Sequence, residues 1–353
     1  MRNNKLFRIG VVALSIVLVA CAGGSSDEAG CPVIEDRKIN VVATTPMVGE
    51  FVSQVGGDNI NLTVIMPPEA DPHTYEPAPQ DAGTIADADL VFYTGLKYEP
   101  AAVIKLLENS ACSTEVLAEV GENVFPIEFK EGGHDDHGDH DDHDEEGHDD
   151  EEGHDDEEGH DDEEGHDDHD GHEGHDHGAF DPHFWFDPNR VAYATEYIES
   201  KLVEFDPSNA SSYETAGSAY TGELKGLTGQ VSDLISTVPS QNRKLITTHE
   251  SLGYLEAKFG LEVLSTIIPS LDSANEISPA QLVDVIDVIE DNNVKVIFIE
   301  AEAPSVYAET IVAETGIKAV EGLWVETLKE GQSYPDFLIS AVELIVENLR
   351  NTD

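Results

Sequence analysis

The chain has 353 residues, 39% of them hydrophobic, and a formal net charge of −55 from 73 Asp and Glu against 18 Lys and Arg. That length exceeds one ordinary small core and suggests two globular domains. The charge excludes nucleic acid as a natural partner and disfavours anionic substrates, because phosphate recognition needs clustered Lys and Arg, whereas cations suit such a surface. The acidity is global: residues 131–178 hold 26 Asp or Glu and no Lys or Arg, so the other residues still carry −29 of the −55.

Residues 1–21 begin with Arg2, Lys5 and Arg8 and continue in an apolar stretch from Ile9 to Ala20, too short to span a membrane comfortably. They read as an export signal. It ends in Leu18-Val19-Ala20-Cys21, which looks like a bacterial lipobox with Cys21 as the lipidated first residue of the mature chain and residues 22–35 as a tether. A place outside the cytoplasmic membrane, held there by a lipid anchor, follows. With Cys21 so used, Cys31 and Cys112 remain, an even number in an oxidising compartment. A Cys31–Cys112 bridge tying the N-terminal tail to the first domain is expected.

From Asp36 onward, short β-branched runs alternate with helical stretches: INVVATT, PMVGEFVSQVGG, INLTVIM, a Pro-rich loop, PQDAGTIADA, DLVFYTG and EPAAVIKLLENS, with NVFPIEF near Val124 as a predicted fourth strand. Continuous apolar strands separated by helices indicate a parallel sheet covered on both faces. The acidic insert follows at 131–178. EEGHDD occurs four times in tandem between Glu145 and Asp168, and 12 of the 15 histidines lie between His134 and His177. With nothing apolar to bury, this segment is predicted to be disordered. Its many imidazoles and carboxylates offer weak, interchangeable cation sites; a mere solvating spacer needs charge but not His at a regular interval.

Beyond the insert, DPNRVAYATEYIESKLVEF reads as a helix. A longer one runs from about Ser208 to Val238, with Tyr213, Tyr220, Leu224, Leu227, Val231 and Leu234 near a helical period, and is a candidate interdomain strut. The alternation then resumes with KLITT, LEVLSTI, a helix from Pro279 to Asn292, VKVIFIE, a helix from about Pro304 to Glu314, IKAVEGL and a closing helix from about Tyr334 to Leu349. The organisation expected is an N-terminal α/β lobe at 36–207 carrying the insert, a linking helix at 208–238 and a C-terminal α/β lobe at 239–353.

Three histidines lie outside the insert, each just after a predicted strand: His73 in DPHTYEP, His183 in DPHFWFDP and His249 in TTHESLGY. In open parallel sheets the carboxyl ends of the strands line the crevice where ligands bind. One such His is more often a hydrogen-bonded loop residue, but three on the same edge point to a shared task. Asp-Pro-His occurs twice, and the Pro stiffens the backbone beside the imidazole. Three imidazoles and one carboxylate complete a tetrahedral Zn²⁺ shell. Three His with a water is also the shell of a hydrolytic centre, yet the sequence has no HExxH, no GxSxG and no second metal cluster. The chain therefore reads as a binder, not an enzyme.

Taken together, DPHTYEPAPQDAGTIADADLVFYTGLKYEP, FDPHFWFDPNRV, THESLGYLEAKFGLEV and FIEAEAPSVYAETIVAETGIKAV resemble the substrate-binding lipoproteins of bacterial ABC importers for zinc and manganese, the ZnuA-like proteins and their adhesin-named relatives. The likeness covers roughly residues 36–350. It implies two α/β lobes, each with a four-stranded parallel sheet flanked by helices, joined by a long rigid helix, with the metal held between them. It also implies a permease and its ATPase as partners, and we expect the binding protein itself to be monomeric. By position, His73, His183 and His249 are implied as metal ligands. The family's usual Asp in the fourth position is here Glu326, in LWVETL, one methylene longer, which is expected to ligate in its place, the alternative being a water in the fourth position. Zinc importers carry a His where His249 stands and manganese importers more often a carboxylate, so Zn²⁺ is the expected cargo, with Mn²⁺ the alternative. A surface adhesin or metal buffer without a transporter is the other reading.

Overall fold

The computed structural model describes residues 31, 34, 37–129, 180–302 and 306–350; the export segment with Cys21 and the insert at 131–178 lie outside them. The β-branched runs form two sheets of four strands. β1 (Ile39–Ala43), β2 (Ile60–Val64), β3 (Leu90–Tyr93) and β4 (Leu117–Glu119) build the first, in the order β2-β1-β3-β4. The second contains β5 (Lys244–His249), β6 (Glu262–Ile268), β7 (Val296–Glu300) and β8 (Lys318–Leu323), in the order β6-β5-β7-β8. Every neighbouring pair is parallel, so each sheet gathers its strand carboxyl ends on one edge.

The helices are α1 (Pro46–Gly56), α2 (Pro79–Ala86), α3 (Ala101–Ser110), α4 (Pro188–Phe205), α5 (Ala210–Ser236), α6 (Gly253–Phe259), α7 (Pro279–Asn292), α8 (Tyr307–Thr315) and α9 (Tyr334–Arg350). Four of them start with Pro in the first turn, where its missing N–H leaves nothing unsatisfied. Polar caps set three of those starts: Thr45 accepts from Val48 N–H, Asp187 from Asn189 N–H, and Ser278 exchanges bonds with Gln281 in a capping box. Among the described residues no helix is long and apolar enough to cross a membrane.

The 27 residues of α5 span about 40 Å at ~1.5 Å per residue. Its buried face, Tyr213, Tyr220, Leu224, Leu227, Val231 and Ile235, packs against α1, α4 and α9. Those helices belong to both halves of the chain. One hydrophobic cluster therefore runs from Ile39 and Phe51 through Ile198 and Leu227 to Leu245, Phe298 and Phe337. The two sheets share this core, and it fixes how their carboxyl edges face each other.

The fourth strand is not where the sequence pattern put it. It is Leu117–Glu119, three residues with only Ala118 fully buried, so no apolar run announced it. NVFPIEF is instead a 3-10 turn (Gly121–Val124), then Phe125 at φ 55°, then Pro126, which has no N–H for a ladder. Its one pairing is an antiparallel bridge between Glu128 and Phe180. That bridge places the described residues that flank the insert side by side. The short α6, which the hydrophobic pattern did not mark, starts four residues after His249.

A disulfide joins Cys31 to Cys112, just past α3, over a sequence separation of 81. Alkylation of the denatured, unreduced protein is expected to modify neither thiol, and reduction is expected to lower stability by about 2–5 kcal/mol. Labelling of both cysteines before reduction would contradict the bridge.

Candidate metal centre

Each lobe supplies two side chains to one place between the sheets. His73 lies on the connection from β2 to α2, and His183 enters from the chain between β4 and α4. His249 is the last residue of β5, and Glu326 follows β8. His73 Nε2 and His183 Nε2 are each 3.3 Å from Glu326 Oε1, and His249 Nε2 is 2.7 Å from the same oxygen. The four donor atoms all lie within 4.8 Å of one another. All four predicted positions are thus brought together.

The local sequence explains how the rings are held. In both Asp-Pro-His segments the Asp carboxylate accepts the backbone N–H of the His two residues on, Asp71 from His73 at 3.0 Å and Asp181 from His183 at 2.8 Å. Such a turn, stiffened by Pro72 or Pro182, sets the direction of the imidazole. Asp181 Oδ1 is also 2.8 Å from His183 Nδ1. His249 Nδ1 is 2.5 Å from Glu300 Oε2, while Glu300 Oε1 accepts from Thr247, Ser251 and His249 N–H. With Nδ1 turned to a carboxylate, Nε2 is left to face the centre.

Glu326 is held through its backbone. Glu302 Oε1 accepts the N–H groups of Val325, Glu326 and Thr327 at 3.0, 3.0 and 3.3 Å. From the first lobe, Tyr98 donates its hydroxyl proton to Glu326 carbonyl oxygen at 2.9 Å and Trp185 donates to Val325 carbonyl at 2.8 Å. The rings of Tyr98 and Trp185 stand edge-on to His183, and Tyr98 also to His73. Both are buried, and together they wall the site from water.

Charges in so dry a place must compensate one another. Burial works against a charged His183, but Glu326 and Asp181 outweigh it and raise its pKa to about 9. The same contest, decided by Glu300 and Glu326, lifts His249 well above the ordinary imidazole range. Burial alone would raise Glu326; the three imidazoles instead hold it well below the usual carboxylate range. Glu302 rises to about 8 through burial and the nearby Glu326 charge.

Protons do not satisfy this cluster fully. His249 Nε2 lies close to Glu326 but off the hydrogen-bond line, and it and Glu326 Oε2 are buried without a hydrogen-bond partner. A tetrahedral ion with arms of ~2.0–2.1 Å spaces its donors by about 3.3–3.4 Å. Two of the three His–Glu326 separations match that spacing. The residues fit a divalent cation in charge, donor type and spacing.

The carboxylates behind the rings were not foreseen. Asp181 carried a signal, because the same residue precedes His73 by two positions. Glu300 carried another: it is the single acidic residue ending the otherwise apolar VIFIE strand, on the sheet edge where His249 also ends its own.

The sequence profile described as "Zinc-uptake complex component A periplasmic" (ZnuA) matches residues 41–348. A manganese ABC transporter substrate-binding lipoprotein of Streptococcus mitis, PsaA, is 27% identical over 98% of this chain and 99% of its own. A metal ABC transporter substrate-binding lipoprotein of Lactococcus lactis is 25% identical over 94% and 92%. Among solved structures, the periplasmic zinc-binding protein TroA of Treponema pallidum superposes with a TM-score of 0.69 over 89% of this chain and 100% of its own, at 20% identity, a likeness of fold. The profile runs from within the first strand through the long helix to the last helix and takes in all four converging residues: the chain belongs to the ZnuA family, the substrate-binding components of metal ABC importers.

Proposed function

We propose that this protein is the extracytoplasmic, lipid-anchored binding component of an ABC importer, and that it captures Zn²⁺ with His73, His183, His249 and Glu326 for delivery to a membrane permease and its ATPase. The observation that carries this reading is the convergence of three imidazole Nε2 atoms and one carboxylate oxygen, two donors from each lobe, in a buried position. The family is one of solute-binding proteins rather than enzymes. A hydrolytic zinc keeps a position open for water; here a protein carboxylate takes the fourth place, which suits capture and hand-over. Cys21 is the anchoring residue, and relatives named as lipoproteins support that assignment. The composition of residues 134–177, rich in imidazole and carboxylate, suits additional weak cation binding.

Three nitrogen donors favour Zn²⁺ over Mn²⁺, which prefers oxygen. A second reading, Mn²⁺ as cargo, is favoured by Glu326 Oε2, a buried oxygen without a partner that a bidentate carboxylate would use, and by the manganese-named streptococcal relative. Protein lacking residues 134–177, purified without added metal and given equimolar Zn²⁺ and Mn²⁺, is expected to retain Zn²⁺ in one tight site; retention of Mn²⁺ would select the second reading. His249→Ala is expected to weaken Zn²⁺ binding by more than the ~10–100-fold typical of an outer partner. Undiminished binding would overturn the ligand set.

The raised pKa of His183, about 9, means that its ring is protonated at neutral pH without metal, and Zn²⁺ has to displace that proton. Zn²⁺ affinity is expected to rise from pH 7 to 9, by about tenfold per pH unit for each proton displaced. Calorimetry in buffers of different ionisation enthalpy measures the protons released at pH 7. An affinity that is flat from pH 5 to pH 9, with no proton release, would contradict this account.

A further inference from the structure

We propose that Asp272 is a positioning residue for His73: a carboxylate from the second lobe that accepts a hydrogen bond from His73 Nδ1 when metal is seated, and so ties metal loading to the docking of one lobe's loop on the other. The proposal rests on the reading of His73 as a ligand.

Two of the three converging imidazoles have a carboxylate behind them within hydrogen-bond reach, Asp181 for His183 at 2.8 Å and Glu300 for His249 at 2.5 Å. Behind His73 stands Asp272, with Oδ1 at 4.0 Å from Nδ1. That is too long for a hydrogen bond, and a shift of about 1 Å would close it. Among the described residues His73 Nδ1 has no hydrogen bond of its own, and Asp272 is the one carboxylate paired with it.

Topology makes the pairing more than a chance approach. His73 lies between the second strand and the following helix of the first lobe, β2 and α2; Asp272 lies between β6 and α7, the same connection in the second lobe. The two loops meet across the seam. Burial separates this pair from the others. The side chains of Asp181 and Glu300 are 5% and 0% exposed, whereas Asp272 is 50% exposed. His73 is also the one converging residue that is not fully buried. The His73–Asp272 pair is thus the part of the site that reaches nearest to solvent, through Asp272.

The loop is already shaped for the task. Asp272 Oδ1 accepts Ala274 N–H at 2.8 Å, and Ser270 Oγ accepts from Asp272 N–H and from the Asn275 side chain. Beside it, Ser273 Oγ is buried with no hydrogen-bond partner, so the segment has a bond still to make. Closing onto His73 would fix the Nδ1–H tautomer and make Nε2 a stronger donor to metal, an effect whose loss lowers metal affinity by ~10–100-fold in comparable outer partners.

Asp272→Asn keeps an oxygen that can accept Ala274 N–H and hold the turn, and removes the negative charge that makes a bond from His73 Nδ1–H strong; Asp272→Ala removes the acceptor as well. With Zn²⁺ alone as probe, chelator competition and stopped-flow dissociation are expected to show Asp272→Asn binding Zn²⁺ about tenfold or more weakly, with faster loss, and Asp272→Ala at least as weak. In nitrogen-15 histidine spectra of the zinc-loaded parent, the His73 Nδ1–H signal, assigned by its disappearance in His73→Ala, is expected far downfield and slow to exchange, and to lose both properties in Asp272→Asn. Parent-like affinity and release in Asp272→Asn, or a His73 Nδ1–H that exchanges as freely in the parent as in Asp272→Ala, would overturn the proposal. Should His73→Ala itself bind Zn²⁺ like the parent, the ligand assignment fails; weakened His73→Ala beside unchanged Asp272→Asn removes only the role of Asp272.

Discussion

A single carboxylate oxygen, Glu326 Oε1, faced by three imidazole nitrogens in a position sealed from water, is the constraint to which the rest of the molecule answers. An isolated charge there would be expelled or neutralised. The rings of His183 and His249 are held cationic by the Glu326 charge, and the imidazoles in turn keep Glu326 anionic. Without metal the cluster is held by protons. With a divalent cation those protons leave and the charge stays nearly balanced, so capture becomes an exchange rather than a net burial of charge. At a site of this kind protons compete with the cation, so acidification favours release.

Convergence from sequence-distant loops requires that the two sheets be held in fixed relation. Identical strand order in both halves presents two carboxyl edges, and the layer made by α1, α4, α5 and α9 packs them through one continuous core. Wide hinge opening would tear that shared apolar surface. Movement confined to the loops at the strand ends would not. Hydrogen bonds across the seam, from Tyr98 to Glu326, Trp185 to Val325, Glu69 N–H to Leu328 and Tyr334 to the Trp185 carbonyl, join those loops directly. Delivery by loop rearrangement at this seam is what such an architecture permits.

Much of this was legible before any coordinates. β-branched runs alternating with Pro-started helices gave parallel sheets, and the period of Tyr213, Tyr220, Leu224, Leu227 and Val231 marked the long helix, because both patterns come directly from burial. His73, His183 and His249 stood out because residues 131–178 hold all the other histidines. Glu326 was found only by family likeness; nothing local distinguishes it from the many other acidic residues. The fourth strand was missed because LAE is short and half-exposed, while NVFPIEF has the composition of a strand and a Pro that prevents one. Glu302 acts through space, across a separation that a pattern along the chain does not register, and nothing along the chain marks Asp272.

The central claim is tested most directly by X-ray absorption at the zinc edge, on protein lacking residues 134–177 and loaded with one equivalent of Zn²⁺. The account predicts a four-coordinate shell of three imidazole nitrogens and one carboxylate oxygen at ~2.0–2.2 Å. A shell made mainly of water or carboxylate oxygens, or one that keeps three imidazoles after His249→Ala, would contradict it.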